Sequence, residues 1–268
     1  MPRIALSSTK LNVVRAQEGE PLLLIQGMGG THLSWGEDFL DALGGGLELI
    51  SYDHRSTGRS GRDEGELSIV GLADDAAELL DALELESAHV VGISMGGMVA
   101  QELVLRHPAR VRTLTLGCTW PGGAEIERPD PELWRETLEA QASGDRERAL
   151  RASFTMNLSP AWTADEEHYD PFRAMVLALP VAPVVMGRQL QAVLGFDASA
   201  RLGEIEAPTL VLHGTEDQVV PPANGELLAQ GVAGARLKRL DGAGHMFWWE
   251  QPQRSAELVR AHVLGDRA

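Results

Sequence analysis

The chain has 268 residues, and its 23 lysines and arginines against 39 aspartates and glutamates give a formal net charge of −16. A protein this acidic repels nucleic acids and anionic membranes, so we expect neither as a partner. The single cysteine, Cys118, excludes an intramolecular disulfide framework. We expect no signal peptide, because the first residues lack a continuous apolar run. No apolar run reaches the roughly 18 residues of a membrane span, so we expect a cytoplasmic protein.

Five short apolar runs have the character of buried β-strands. Most are apolar almost without interruption, which is typical of strands in a parallel sheet that helices cover on both faces. We expect additional strands at the edges of the sheet, at Leu11–Val14 and Arg236–Leu240. The five runs are LLLIQ at 22–26, LELISY at 47–52, HVVGI at 89–93, VRTLTLG at 111–117 and TLVLHG at 209–214.

Amphipathic segments alternate with these strands. Ile69–Leu83 places its apolar residues on one helical face, which predicts a helix that packs on the sheet. A second helix is expected over Met95–Arg106, because Pro108 disfavours helical backbone in the residue before it. A third is expected at Pro252–Leu264. This alternation predicts an α/β fold with a mostly parallel, doubly wound sheet.

One long stretch breaks the alternation. Residues 121–197 contain no convincing buried strand, but they include helical segments near Pro131–Ala142 and Arg146–Phe154. We therefore predict a core domain formed by residues 1–120 and 198–268, with residues 121–197 as a helical cap insertion above the carboxyl edge of the sheet. An ordinary helical layer is the alternative.

The sequence GISMG at 92–96 fits the pattern G-x-S-x-G, with Ser94 at its centre. An apolar strand precedes it and an amphipathic helix follows, which is the context that a nucleophile requires. A tight strand-to-helix turn exposes the hydroxyl, and glycines two residues away let strand and helix approach without a Cβ clash. These features predict that Ser94 is a nucleophile.

A serine hydroxyl needs a base, and His245 is the best candidate among eight histidines. It follows an expected strand and a glycine-rich turn, so it should lie at the same sheet edge as Ser94. His54 is the most credible rival. His213 lies within an expected strand, where packing is the more natural role.

The base needs a carboxylate that orients it, and Asp217 is positioned for this task. It lies in a short loop after the strand 209–214, and its neighbour Glu216 would more plausibly face solvent. The chain order Ser94, Asp217, His245 is the order of the α/β-hydrolase triad.

Acyl transfer also needs donors for an oxyanion. The backbone N–H of Met95, next to the nucleophile, is one candidate. The glycine-rich loop after the strand 22–26 offers the other at Met28, with Gly27 beside the substrate. Trp120 follows the strand 111–117, and we expect it to contact the substrate as well.

The chain resembles the α/β-hydrolase superfamily in its capped, cofactor-free branch. Gln26 replaces the usual histidine of the first motif, and we expect this replacement to change how that loop is braced. In the second motif, Asp53, Arg55 and Ser60 are expected to be structural. Four motifs carry the resemblance: QGMGG at 26–30, YDHRSTGRS at 52–60, GISMGG at 92–97, and the pair HGTEDQVVP with GAGH.

Within this branch, the segment around Ser94 is similar to 3-oxoadipate enol-lactonases, and the layout is similar to aclacinomycin-type methylesterases. Haloalkane dehalogenases and epoxide hydrolases share the fold, but they use an aspartate where this chain has Ser94. The resemblance implies hydrolysis of a small carboxylic ester or lactone, without a cofactor or metal.

Three alternatives remain open at this point. The same residues could hydrolyse a C–C bond in a vinylogous keto acid, with Arg151 or Arg188 binding its carboxylate. They could also perform perhydrolysis. The third alternative is a small-molecule receptor that hydrolyses weakly. The sequence leaves the oligomeric state open, a homo-oligomer included.

Overall fold

The structure, a computed structural model, describes residues 3–62 and 65–265. The ends of the predicted core, residues 1–2 and 266–268, lie outside the described residues. Within the described ranges, eight strands form one sheet. The strands are β1 (Arg3–Ala5), β2 (Lys10–Ala16), β3 (Gly19–Ile25), β4 (Gly46–Tyr52), β5 (Ala88–Ile93), β6 (Val111–Gly117), β7 (Thr209–Gly214) and β8 (Arg236–Leu240).

The strand order is β1-β2-β4-β3-β5-β6-β7-β8, and the pairs from β4 to β8 are all parallel. β1 and β2 are antiparallel to their neighbours. The predicted mostly parallel sheet is thus confirmed. β2 is not an edge strand, however, because the three-residue β1 pairs outside it, with Ile4 opposite Leu11.

The helices alternate with the strands in the two halves of the core, as predicted. The predicted helices at 69–83, 95–106 and 252–264 are present, the first ending one residue earlier than expected. The helices are α1 (Glu37–Leu43), α2 (Ile69–Ala82), α3 (Met95–Arg106), α4 (Pro131–Ala142), α5 (Arg146–Asn157), α6 (Pro160–Thr163), α7 (Tyr169–Ala178), α8 (Pro183–Leu194), α9 (Ala223–Gly231), α10 (Phe247–Glu250) and α11 (Pro252–Leu264).

Both faces of the sheet are buried, which explains the nearly continuous apolar runs. In β3, Leu23 and Ile25 belong to the core cluster that includes residues of α2 and α3. Their neighbours Leu22 and Leu24 point to the other face and join a second cluster with residues of α1 and α11. Side chains alternate between faces along a strand, so each run must be apolar at every position.

Five helices, α4 to α8, lie in the chain between β6 and β7, within residues 121–197. The segment leaves and rejoins the core at one point, where Gly122 and Asp197 form an isolated antiparallel bridge. The Ala198 N–H donates to the Pro121 carbonyl at 2.8 Å beside it. We call residues 121–197 the helical insertion; their role as a cap and the predicted domain boundaries stay predictions.

In residues 3–62 and 65–265, no single helix is long and apolar enough to cross a membrane. Two segments, Glu166–Ala178 and Pro183–Leu194, meet the length and composition criteria only as a pair bent by 98°. The cytoplasmic location stays a prediction.

Candidate active site

Ser94 forms the turn between β5 and α3, and its backbone conformation is rare for a residue with a side chain. Its φ of 54° and ψ of −126° lie outside the regions that L-residues prefer. The Ser94 N–H donates to the Gly117 carbonyl at 2.9 Å, and the Thr119 hydroxyl donates to the Ser94 carbonyl at 2.7 Å. The half-buried serine thus begins α3, whose N-terminal dipole favours negative charge beside it.

The glycines around Ser94 are required by close backbone approaches. A Cβ on Gly92 would lie 2.3 Å from the Gly96 carbonyl oxygen, and one on Gly96 would lie 2.1 Å from the Ile25 carbonyl oxygen. A Cβ on Gly97 would lie 2.5 Å from the Thr119 side chain. All three distances are too short for real contacts, so β3, β5 and α3 can pack this closely only with glycine at these positions.

His245 and Asp217 form a buried hydrogen-bonded pair. The His245 Nδ1 lies 2.8 Å from Asp217 Oδ2 and 3.0 Å from Asp217 Oδ1. Because a carboxylate only accepts hydrogen bonds, Nδ1 carries the proton, and the hydrogen-bond network assigns this tautomer. The other ring nitrogen of His245, Nε2, is left to accept a proton.

The loop after β7 holds Asp217 in its ionised form. The Val219 and Val220 N–H groups both donate to Asp217 Oδ1 at 2.9 Å. Burial raises the pKa of the Asp217 carboxyl, but the charge of His245 and the hydrogen bonds from His213 and His245 outweigh it and lower the pKa to about 2. The carboxylate therefore stays charged at neutral pH and can orient His245.

Ser94 and His245 reach the same edge of the sheet from different strands. Cys118 directly follows β6 at this edge. Its sulfur is within 4.8 Å of ligand atoms of both Asp217 and His245, and its neighbour Gly117 accepts the Ser94 N–H. Among the described residues, the Ser94 hydroxyl makes no hydrogen bond to His245. Catalytic hydrogen bonds are often long without substrate and shorten in the reacting complex.

The loop at residues 26–30 follows β3 and packs directly against Ser94. A Cβ on Gly27 would lie 2.9 Å from the Ser94 Cβ and 3.4 Å from its Oγ. A turn closed by the Gly30 N–H and the Gly27 carbonyl, at 3.1 Å, sets the path of this 26–30 loop. Neither Met28 N–H nor Met95 N–H donates to another described residue. Both amides thus remain available next to the serine.

Gln26 braces the 26–30 loop from within. Its side-chain oxygen accepts the Gly27 N–H at 3.2 Å, and its backbone carbonyl accepts a hydrogen bond from His54 Nε2 at 2.9 Å. His54 is buried, and this burial lowers the pKa of its ring. His54, the rival for the role of base, is therefore committed to the loop backbone instead of to Ser94.

Sequence analysis missed the contact of His213 with Asp217. His213 is packed in β7, as expected, but its Nε2 also lies 3.3 Å from Asp217 Oδ2 and 2.8 Å from the Val220 carbonyl oxygen. The signal in the sequence is its position, four residues before Asp217 at the end of a strand.

Trp120 lies in the larger core cluster, with 7% of its surface exposed, and Met28 packs against the same cluster. The backbone carbonyl of Trp120 accepts a hydrogen bond from the Gln101 side-chain amide at 3.0 Å. The indole Nε1 is buried and has no partner among the described residues. Contact between Trp120 and substrate stays a prediction.

The second motif, YDHRSTGRS, forms structural links. Asp53 Oδ1 accepts hydrogen bonds from both the backbone N–H and the ring Nδ1 of His32, each at 2.8 Å. The Ser60 hydroxyl donates to the Asp53 carbonyl at 2.6 Å. Arg55 donates from its Nε to Asp75 at 2.6 Å. These bonds connect separate loops and engage the three residues of the motif with partners other than Ser94.

The two arginines considered for a substrate carboxylate have other partners. Arg151 is 45% exposed, pairs with Glu166 at 2.5 Å and lies 3.6 Å above the centre of the Tyr169 ring. Arg188 donates to the Gly65 carbonyl. Arg151 therefore links residues within the helical insertion, and Arg188 links the insertion to the loop at Gly65.

Cys118, Asp217 and His245 are close enough to be considered as metal ligands, but their chemistry does not favour this role. Burial raises the pKa of the Cys118 thiol well above its usual value, whereas a metal ligand must be the thiolate. Asp217 and His245 already satisfy each other. The expectation that the site uses no metal or cofactor stays a prediction.

Comparisons with known proteins agree with this architecture. The family model described as alpha/beta hydrolase fold matches residues 20–252. A relative named carbamate hydrolase RutD, from Azorhizobium caulinodans, is 37% identical over 243 residues, which are 90% of each chain.

Two solved structures extend the likeness over almost the whole chain. A hydrolase from Pseudomonas aeruginosa is 30% identical with a TM-score of 0.85, and the match covers 98% of both chains. An enol-lactonase from Burkholderia xenovorans is 26% identical with a TM-score of 0.83, over 98% of this chain and 100% of that one.

Proposed function

Because the chain belongs to the α/β-hydrolase family, and is a hydrolase, we propose that it cleaves a small carboxylic ester or lactone through an acyl-enzyme on Ser94. The observation that supports this most is the buried His245–Asp217 pair, with Nδ1 and Oδ2 2.8 Å apart, at the edge where Ser94 begins α3. An oriented base at the same edge as a serine hydroxyl is the arrangement that activates serine.

In the first half-reaction, Ser94 Oγ attacks the acyl carbon and its proton passes to His245 Nε2. The Met28 and Met95 amides donate to the oxygen of the tetrahedral intermediate. Asp217 stays ionised and stabilises the protonated imidazole. His245 then protonates the leaving alkoxide, so an alcohol departs and the acyl group stays on Ser94.

In the second half-reaction, a water molecule replaces the alcohol. His245 Nε2 accepts a proton from the water while its oxygen attacks the acyl carbon. The tetrahedral intermediate collapses, the bond to Ser94 breaks, and His245 returns the proton to Ser94 Oγ. The products are the free carboxylic acid and the original enzyme. For a lactone, the alcohol and the acid remain in one molecule.

The charges of the chain favour an uncharged substrate. None of the described lysine and arginine side chains is buried, whereas Asp53, Asp75, Glu102 and Asp217 are. A substrate carboxylate in a closed site would therefore lose its hydration without gaining a buried counter-charge. A neutral ester or lactone avoids this cost, and this favours it over the vinylogous keto acid of a C–C hydrolase.

The test combines an active-site label with turnover. We expect a fluorophosphonate to label Ser94 and p-nitrophenyl butyrate to be hydrolysed, with Ser94→Ala losing about five to six orders of magnitude in kcat. Ser199→Ala, at an exposed serine, serves as the matched control. Wild-type turnover by Ser94→Ala would refute the proposal, and labelling without turnover would favour a receptor.

A substrate panel then separates bond types. It should contain neutral esters, lactones, a carbamate and a ring-fission acid, compared by kcat/KM. Highest values for neutral esters or lactones support the proposal. A preference for the carbamate or the ring-fission acid would replace it, since the same Ser94, His245 and Asp217 would then act on another bond.

A further inference from the structure

The helical insertion reaches the 26–30 loop through a fully buried amide side chain. Gln189 lies on α8 with none of its surface exposed. Its Oε1 accepts the Gly29 N–H at 2.9 Å. Gly29 directly follows Met28, so the hydrogen bond fixes the peptide next to the proposed oxyanion donor.

The other end of the same amide holds a second loop. Gln189 Nε2 donates to the Thr57 hydroxyl at 3.2 Å. The Thr57 N–H donates to the His54 carbonyl, and His54 Nε2 donates to the Gln26 carbonyl, both at 2.9 Å. These bonds form a circuit that starts at Gly29 and returns to Gln26. The 26–30 loop is thus held at both ends, and only Gln189 comes from the insertion.

Packing reinforces this hydrogen bond. Gly29 has a φ of +71°, and a Cβ there would lie 2.6 Å from the Met186 sulfur on α8. The helix therefore rests directly on the loop, and both its conformation and this contact favour glycine. A displacement of α8 would remove the Met186 contact and the Gln189 hydrogen bond together.

We propose that Gln189 is a positioning residue through which the helical insertion sets the Met28 amide, so that the oxyanion hole is complete only when α8 is seated. This inference rests on the proposed function, because it assigns Met28 N–H to the transition state. Gln189 itself touches no reacting atom. Its effect should appear in kcat, since the oxyanion forms only after the substrate has bound.

The test uses Gln189→Met, which keeps a similar size and removes both hydrogen bonds. Loss of an entire oxyanion donor costs about a hundredfold to a thousandfold, so a misplaced donor should cost about tenfold to a hundredfold in kcat. We expect KM for p-nitrophenyl butyrate to stay within about twofold, because ground-state binding does not use the oxyanion hole.

The affinity for an analogue of the tetrahedral intermediate separates positioning of the oxyanion hole from a purely structural role of Gln189. An alkyl trifluoromethyl ketone adds reversibly to Ser94 and places its oxygen in the oxyanion hole. Its affinity should fall in Gln189→Met by the same factor as kcat/KM. Gln191→Met, the same change at an exposed glutamine on α8, should leave kcat, KM and analogue affinity unchanged.

Thr57→Val keeps the test decisive if Gln189→Met does not fold. It preserves the volume of Thr57 and removes only the hydrogen bond between Thr57 and Gln189. The bond from Gly29 to Gln189 remains, so we expect a smaller decrease in kcat with KM unchanged. Wild-type kcat in a folded Gln189→Met, or in Thr57→Val when only that variant folds, would overturn this inference alone. A wild-type protein inert to both esters and fluorophosphonate would overturn the proposed function and this inference with it.

Discussion

His213 and His245 share the carboxylate of Asp217. His245 Nδ1 lies 2.8 Å from Asp217 Oδ2, and His213 Nε2 lies 3.3 Å from the same oxygen. His213 Nε2 also lies 2.8 Å from the Val220 carbonyl, so this nitrogen carries the proton. The carboxylate that orients the proposed base is therefore itself held by a second histidine from β7.

We expect His213→Leu to lower the free energy of unfolding by about 2 kcal/mol at pH 7, because a hydrogen bond to a charged group is lost. His213→Gln can still place an N–H near Asp217 and should lose less. Urea denaturation of both variants measures the difference. Equal losses would show that the packing of His213, and not its hydrogen bond, stabilises the protein.

The lowered pKa of Asp217 predicts how stability depends on pH. A carboxyl whose pKa falls from 3.8 unfolded to about 2 folded contributes stability above pH 3.8 that is lost as the pH falls through 2. The contribution is about 2 kcal/mol. Asp217→Asn should flatten this part of the stability curve between pH 5 and 2, and it should also lower kcat by about four orders of magnitude.

Asp241→Asn is the control, because this aspartate is exposed and lies in the turn after β8. It should keep both the acid dependence and the turnover of the wild-type protein. Denaturation at a series of pH values, with kcat measured at pH 7, checks both expectations. Parallel curves for wild-type and Asp217→Asn would show that Asp217 does not carry the acid sensitivity.

Gly27→Ala should impair turnover by crowding Ser94. The new Cβ would lie 2.9 Å from the Ser94 Cβ, so the serine or the 26–30 loop must shift. Either shift separates the hydroxyl from the Met28 amide, and we expect kcat to fall at least tenfold. Gly187→Ala on α8 adds a Cβ with no atom within 4 Å and should keep wild-type kcat. Similar kcat values for the two variants would contradict this geometry.

The charge of the substrate should change kcat/KM more than removal of an arginine from the helical insertion does. We expect kcat/KM for a neutral ester to exceed that for the matching ester with a terminal carboxylate by more than about tenfold, because the carboxylate would be desolvated without a buried cation. Arg151→Ala should change neither value, since Arg151 pairs with Glu166 at the surface. A selective loss of the anionic substrate in Arg151→Ala would place this arginine at the substrate.

Much of the fold could be predicted because burial on both sheet faces leaves a continuous apolar run, as in β3. β1 could not be predicted in this way, since Arg3–Ala5 is only three residues long and is not buried. α9 was missed for another reason. Its sequence ANGELLAQG contains two glycines and begins without a side-chain cap, so tertiary packing must stabilise it.

In the candidate site, too, some residues could be predicted from the local sequence and others could not. Ser94 could be located from local sequence, because a strand, a turn and a helix must meet around it. Gln189 could not, since its hydrogen bond to Gly29 joins residues 160 positions apart. The sequence around Gly29 contains no pattern that predicts a contact with Gln189, and the sequence around Gln189 contains none that predicts Gly29. Contacts of this kind follow from how α8 docks on the loop, and periodicity contains no information about docking.

Gly122 and Asp197 pair at the base of the helical insertion, and this narrow neck has an architectural consequence. The segment enters and exits through adjacent points, so its length and composition can change without altering the spacing of β6 and β7. The scaffold and the five helices above that neck are thus free to diverge at different rates during evolution. For protein engineers, the bridge between Gly122 and Asp197 is the place at which the insertion of one chain could be exchanged for that of another.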